Sequence, residues 1–166
     1  TVRSSFELSD SSFEHALSDC FDSDFSDGVI ERVSCNACSN DCLDFSGSKV
    51  SVQNVLGENL GDKAISVGEK STVKAHNIQV KNSTIGVASK DQSLLEVDEI
   101  LIENCTYGFV SYQKKSEFGP ASIQATNARV HATKSHFIEK GSELRLNGKT
   151  ILGTEKNVYN ALYPEG

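Results

Sequence analysis

Eight residues carry the polar chemistry that a folded repeat could gather: Asp22, Asp24 and Asp44 on one side, Lys90, Tyr112, Gln113, Lys114 and Lys115 on the other. Asp22 and Asp44 are one period apart in a 22-residue repeat. If successive repeats stack, their carboxylates become neighbours about 4.8 Å apart. At an effective dielectric of about 20 such a pair repels by roughly a few kcal/mol. A Ca²⁺ held by Asp22, Asp24 and Asp44 answers that repulsion, because hard cations take several carboxylate oxygens. A proton held on one Asp answers it as well, leaving an acid and a base side by side. Open solvent and salt can also screen the charges without any function. His15, His76, His131 and His136 share no spacing, and no Ser-His-Asp grouping, nucleophile elbow or phosphate-binding glycine loop occurs.

The elements that would position these residues follow from the repeat. Positions 20, 42, 64, 86 and 108 hold Cys, Cys, Ala, Gly and Gly, each followed by an apolar residue: Phe21, Leu43, Ile65, Val87 and Phe109. A unit of this length is too short for a helical hairpin, and pairs such as Val50/Val52 and Ile65/Val67 alternate with the period of a strand. A second ladder runs Leu8, Ile30, Val52, Ala75, Val97, and a third Val33, Val55, Ile78, Ile100, with one extra residue absorbed in a loop between Val52 and Ala64. The leucine-rich-repeat pattern is absent. Short strands of β-branched residues with Gly, Asn, Asp and Ser at the corners predict an all-β right-handed parallel β-helix of about 22 residues per coil, closed by a C-terminal cap.

Strand alternation then puts Asp22, Asp44, Ser66, Ala88 and Val110 in one outward column and Asp24, Ser46, Gly68, Lys90 and Tyr112 in the next. Asp19, Asp41 and Lys63 form a further column in which Lys63 can pair with Asp41. Asn82 and Asn104 stack at a corner, which explains them better than their N-x-Thr triplets do as glycosylation acceptors. The chain reads as one domain: an irregular first turn at 1–18, regular coils at 19–132 interrupted by a loop at 113–120, and C-terminal strands and cap at 133–166. Within the last part, Asn147-Gly148 marks a hairpin, and 158–163 a helical turn closing the final coil.

A net charge of −7 argues against nucleic-acid binding. The charge is uneven: residues 1–69 hold thirteen acids against four bases, and 70–166 ten against twelve. No apolar run is long enough to insert in a membrane, and the first residues lack both Met and a signal segment, so the expectation is a mature piece of a larger protein. Cys20 and Cys42 share a ladder and lie within disulfide reach, or serve as small buried filler. Cys35-x-x-Cys38 has no second pair or His nearby in sequence, which argues against zinc.

The segments 20–26, 40–46, 61–69, 85–91 and 112–115 resemble the right-handed β-helix domains of the pectate-lyase-like superfamily, most closely the version attached to bacterial proteins with a CotH-type region. That resemblance implies a secreted or cell-envelope location and a polysaccharide, or an upstream domain of the same protein, as partner. It places Asp22, Asp24, Asp44, Lys90, Lys114 and Lys115 on the face where relatives bind polysaccharide. The chain is short, has no Arg on that face and lacks the Asp-Pro-His-Asp motif of alginate epimerases. The leading expectation is therefore a noncatalytic or accessory module that presents a polar sheet. The alternative is a lyase or epimerase of uronic-acid polymers, with Lys90 or Lys114 as base, Tyr112 as proton donor, and Asp22, Asp44, Lys90, Tyr112, Gln113, Lys114 and Lys115 contacting substrate. A third is a structural spacer or assembly element stacking on another chain through its open N-terminal edge.

Overall fold

A computed structural model describes residues 1–164; Glu165 and Gly166, the last positions of the expected cap, lie outside the described residues. The first coils contain β1 (Ser5–Glu14), β2 (Phe21–Asp24), β3 (Asp27–Asn36), β4 (Leu43–Ser46), β5 (Lys49–Glu58) and β6 (Lys63–Gly68). The later ones contain β7 (Thr72–Lys81), β8 (Ile85–Lys90), β9 (Leu94–Tyr112) and β10 (Ser122–Ile138), followed by β11 (Glu143–Leu146), β12 (Lys149–Leu152) and a short helix α1 (Val158–Leu162). They wind into a parallel β-solenoid of about six turns.

Both long-range ladders are present. Leu8, Ile30, Val52, Ala75 and Val97 are paired step by step, as are Val33, Val55, Ile78 and Ile100. Each long strand spans two walls, joined at a bend where Asp10, Arg32, Asn54, Asn77, Glu99 or Asn127 takes a φ of 50–57°. That left-handed residue resets the alternation, so Gln53 and Asn54 both face outward while Val52 and Val55 face in. Asn suits the site because its short polar side chain tolerates positive φ. A second corner carries the expected amide ladder, longer than expected: Asn104 donates to Asn82, Asn82 to Asn59 and Asn59 to Asn36, at 3.3, 3.3 and 2.9 Å. The third wall is β2, β4, β6, β8 and the end of β9. Its small-residue ladder reflects close approach, since a Cβ on Gly86 would lie 2.5 Å from the Gly108 carbonyl oxygen.

Several expectations are corrected in detail. The extra residue sits at the Glu69–Lys70 corner: Ser46 pairs with Gly68, but Lys49 pairs with Thr72, and both corner residues have positive φ. Residues 1–18 are not wholly irregular, because β1 pairs in register with β3 through Glu14. The coil also continues beyond 132, with β10 following β9 to Ile138. The hairpin forms at Asn147 and Gly148, both at positive φ. Helix α1, however, does not close the end of the stack. It lies across the outer wall, because Ala88 and Val110 make an apolar patch there, which Val158, Tyr159 and Leu162 cover.

The sulfurs also pair differently from the ladder. Cys20 bonds Cys38, tying the first coil to the second, Cys35 bonds Cys42 across a corner within the second coil, and Cys105 is free and buried. Ladder neighbours Cys20 and Cys42 pair with Cys38, in the turn between β3 and β4, and with Cys35, on β3, instead of with one another. Among the described residues no helix is long and apolar enough to cross a membrane.

Candidate functional site

The outer wall formed by β2, β4, β6, β8 and the end of β9 brings the expected columns together. Asp22 is paired with Asp44, Asp44 with Ser66, Ser66 with Ala88 and Ala88 with Val110, while Lys90 is paired with Tyr112. Strand geometry does the positioning, since outward residues two apart share a face.

At the acidic end the Asp22 residue is open to solvent, but partial desolvation by the surrounding wall, with repulsion from Asp24, Asp44 and Asp19, holds its carboxyl above the usual range. Asp44 meets the Lys90 ammonium at 3.7 Å, so its charge is answered by a lysine two coils on. The aspartates do not gather as calcium ligands: among the described residues, the set of three potential metal-binding side chains that converges is Cys20, Cys35 and Cys38. Asp22 and Asp24 sit two positions apart along β2, about 6.7 Å between Cα atoms.

At the other end the candidates are covered or engaged. Tyr112 is 1% exposed beneath α1, stacked on Tyr159 with ring centres 6.3 Å apart. Burial first, and Tyr163 second, push its phenol well above the ordinary tyrosine range. Lys90 is 8% exposed. The amides of Lys114 and Lys115 both donate to Asp91 Oδ1, at 2.7 and 2.8 Å, which fixes the start of the 113–120 loop. Lys115 pairs with Glu69 at 2.5 Å, and the Lys114 ammonium lies 5.6 Å from the centre of the Tyr159 ring. Gln113 braces the loop by donating from its side-chain amide to the Phe118 carbonyl at 2.7 Å. Glu139 ties loop to helix, accepting from the Gln113 and Val158 amides at 2.7 and 3.1 Å.

Between the two ends lies a cluster that the sequence pointed to only through the Asp41–Lys63 pair. Lys63 is 4% exposed; its ammonium meets Asp41 at 3.1 Å, donates to Asp62 at very close range and reaches the Tyr163 hydroxyl at 3.0 Å. Tyr163 in turn donates to Asp62 at 2.7 Å. Burial alone would lower the Lys63 pKa, but Asp41 and Asp62 more than offset it and hold the ammonium charged. Asp41 is pushed up to about 6 by burial, against the pull of Lys63 and with repulsion from Asp62 and Asp44. The folded chain therefore keeps a proton that the unfolded chain gives up between about pH 4 and pH 6, and this contribution to stability is lost as pH rises through that window. Lowering the pH from 7 to 5 should raise the wild-type denaturation midpoint relative to Asp41→Asn, as urea titrations at the two pH values would read. Near this cluster, Asp44 Oδ1, Asp62 Oδ1 and Ser66 Oγ are buried without a hydrogen-bond partner.

A polar ladder that the sequence reading missed runs through Ser26, Ser48, Ser71 and Ser93. Each hydroxyl accepts from the backbone amide of the serine one coil earlier, Ser4 through Ser71, at 2.9–3.1 Å. Its signal was plain, a serine every 22 or 23 residues.

A second surface, open to solvent, runs along the bend of β7, β9 and β10. It is a groove of about 850 Å³ lined by Asn77, Gln79, Glu99, Leu101, Thr126 and Arg129, among others.

No protein-family model matches this chain, and comparisons with curated proteins and with solved structures return no match. The coil architecture expected from the pectate-lyase-like resemblance is present, but neither that family nor the CotH-type assignment gains support.

Proposed function

We propose that this chain is a noncatalytic β-solenoid module of a secreted or cell-envelope protein, which binds carbohydrate on its open outer surface. The observation that carries this reading is the roof over the third wall. Helix α1 covers Tyr112, the Gln113 side-chain amide is spent within the loop, and the Lys115 ammonium is engaged by Glu69. A lyase or epimerase needs its proton donor and base within reach of a polymer, and a phenol that is buried and raised in pKa is a poor donor to one.

The bend groove favours binding. Successive coils about 4.8 Å apart line it with different groups: the amides of Asn77 and Gln79, then the Glu99 carboxylate beside Leu101, then the Thr126 hydroxyl and the Arg129 guanidinium. Such a row suits a hydroxyl-rich linear ligand, with apolar contact for sugar faces and hydrogen bonds at their rims. Two disulfides in a small domain fit an oxidising compartment.

Affinity electrophoresis against a panel of neutral and acidic polysaccharides tests the reading, with product absorbance followed in parallel. Retardation by at least one glycan, weakened several-fold by Arg129→Ala and by Gln79→Ala, is the expected result. Unsaturated product would favour the lyase, and mobility unchanged across the panel would remove the binding proposal.

A further inference from the structure

The four cysteines of the first two coils form a cluster as well as two separate bridges. The sulfurs of Cys20, Cys35 and Cys38 all lie within 4.8 Å of one another, and Cys42 is bonded to Cys35. Cys35, Cys38 and Cys42 are at most 1% exposed, and Cys20 is half-buried. The sequence objection to zinc was that Cys35-x-x-Cys38 lacked a second pair; the fold supplies one, Cys42 from the third wall and Cys20 from one coil below.

We propose that, in the reduced chain, Cys20, Cys35, Cys38 and Cys42 form a tetrathiolate site for one soft divalent cation of the zinc class. A tetrahedral zinc site with Zn–S bonds of about 2.3 Å has sulfurs about 3.8 Å apart, so on reduction the bonded pairs Cys20–Cys38 and Cys35–Cys42 must each open by roughly 2 Å, while Cys20, Cys35 and Cys38 already lie within 4.8 Å of one another and Cys42 is carried in by its place beside Cys35. No carboxylate or imidazole joins this group among the described residues, and an all-sulfur donor set selects zinc-like ions over calcium or magnesium. The backbone is already tied there: the Cys20 amide donates to the Asp41 carbonyl at 2.8 Å and the Phe21 amide to the Cys42 carbonyl at 3.0 Å. The site is therefore held by strand pairing independently of the disulfides. Oxidised, the sulfurs staple the two coils covalently; reduced and metal-loaded, they staple them through the ion.

The chemistry balances with a phosphine as reductant. Each disulfide takes two electrons and two protons, giving two thiols, as one phosphine and one water become a phosphine oxide. Cation binding then releases the protons of the four thiols, so affinity weakens as pH falls.

The test uses the full chain, reduced anaerobically with a phosphine and titrated with Co²⁺ and then Zn²⁺. One Co²⁺ per chain with the charge-transfer and d–d bands of a four-sulfur tetrahedral site, displaced by Zn²⁺ and absent from the unreduced chain, is expected. Cys38→Ser should lose the four-sulfur spectrum and Cys105→Ser should keep it. Because Cys38→Ser could also disturb folding, a second measurement uses the wild-type sequence: Zn²⁺ should protect Cys20, Cys35, Cys38 and Cys42 from alkylation and leave the rate at Cys105 unchanged. Absent bands, bands that survive Cys38→Ser, no selective protection, or equal affinity in strong denaturant would each overturn the proposal. None of these outcomes depends on glycan binding.

Discussion

Lys63→Met should destabilise the chain by about 3–5 kcal/mol at neutral pH, among the largest losses expected from a single side chain here. The substitution keeps the volume of the stem but leaves Asp41 and Asp62 buried beside one another without a cation, and takes a donor from the Tyr163 hydroxyl. Removing one partner of a buried ion pair exposes the full desolvation cost of the other, which is why the loss exceeds the worth of a surface salt bridge. The penalty should shrink on acidification to pH 5, since Asp41 already titrates near 6 and without its cation takes up a proton more readily. Urea unfolding at both pH values reads it. A loss under about 1 kcal/mol would mean that Lys63 is solvated.

The disulfides should have the second large effect. On the chain-entropy estimate, closing the 18-residue separation of Cys20–Cys38 contributes about 3 kcal/mol and the 7-residue separation of Cys35–Cys42 about 2. Replacing each pair by alanines should cost those amounts, and losing both should lower Tm by roughly 10–20 °C. Because each turn of a solenoid contacts mainly its neighbours, the damage should be local. Hydrogen exchange should show β1 through β4 losing protection well before β7 to β9. Uniform loss along the chain would point to a different origin for the stabilisation.

The sequence carried the repeat because stacking demands it. Every inward position of one coil touches its counterpart in the next, so Leu43, Ile65, Val87 and Phe109 must all be apolar, and the same beat placed Asp22 beside Asp44 and Lys63 beside Asp41. The disulfide pairing was less legible. It crosses a corner, and the direction a sulfur takes there depends on how residues 36–41 turn, which periodicity does not encode. Least legible was the fate of Tyr112. Its column predicts an outward face, and it does leave the core side, but the chain returns a hundred residues after Lys63 to lay Tyr159 and Tyr163 over the wall. One clue was present: Ala88 and Val110 are apolar at outward positions, so something had to cover them. Asp62, adjacent to Lys63 and paired with Tyr163, became recognisable as part of the cluster only with that covering in place.

Residues one coil apart meet directly across the stack, and the Asp41–Lys63 pair tests this most sharply. A double-mutant cycle of Asp41→Asn, Lys63→Met and the two combined, followed by urea unfolding, should give a coupling of at least about 2 kcal/mol, with the double variant more stable than the sum of the single losses implies. Additivity within about 0.5 kcal/mol would contradict it, because side chains that never meet have nothing to couple.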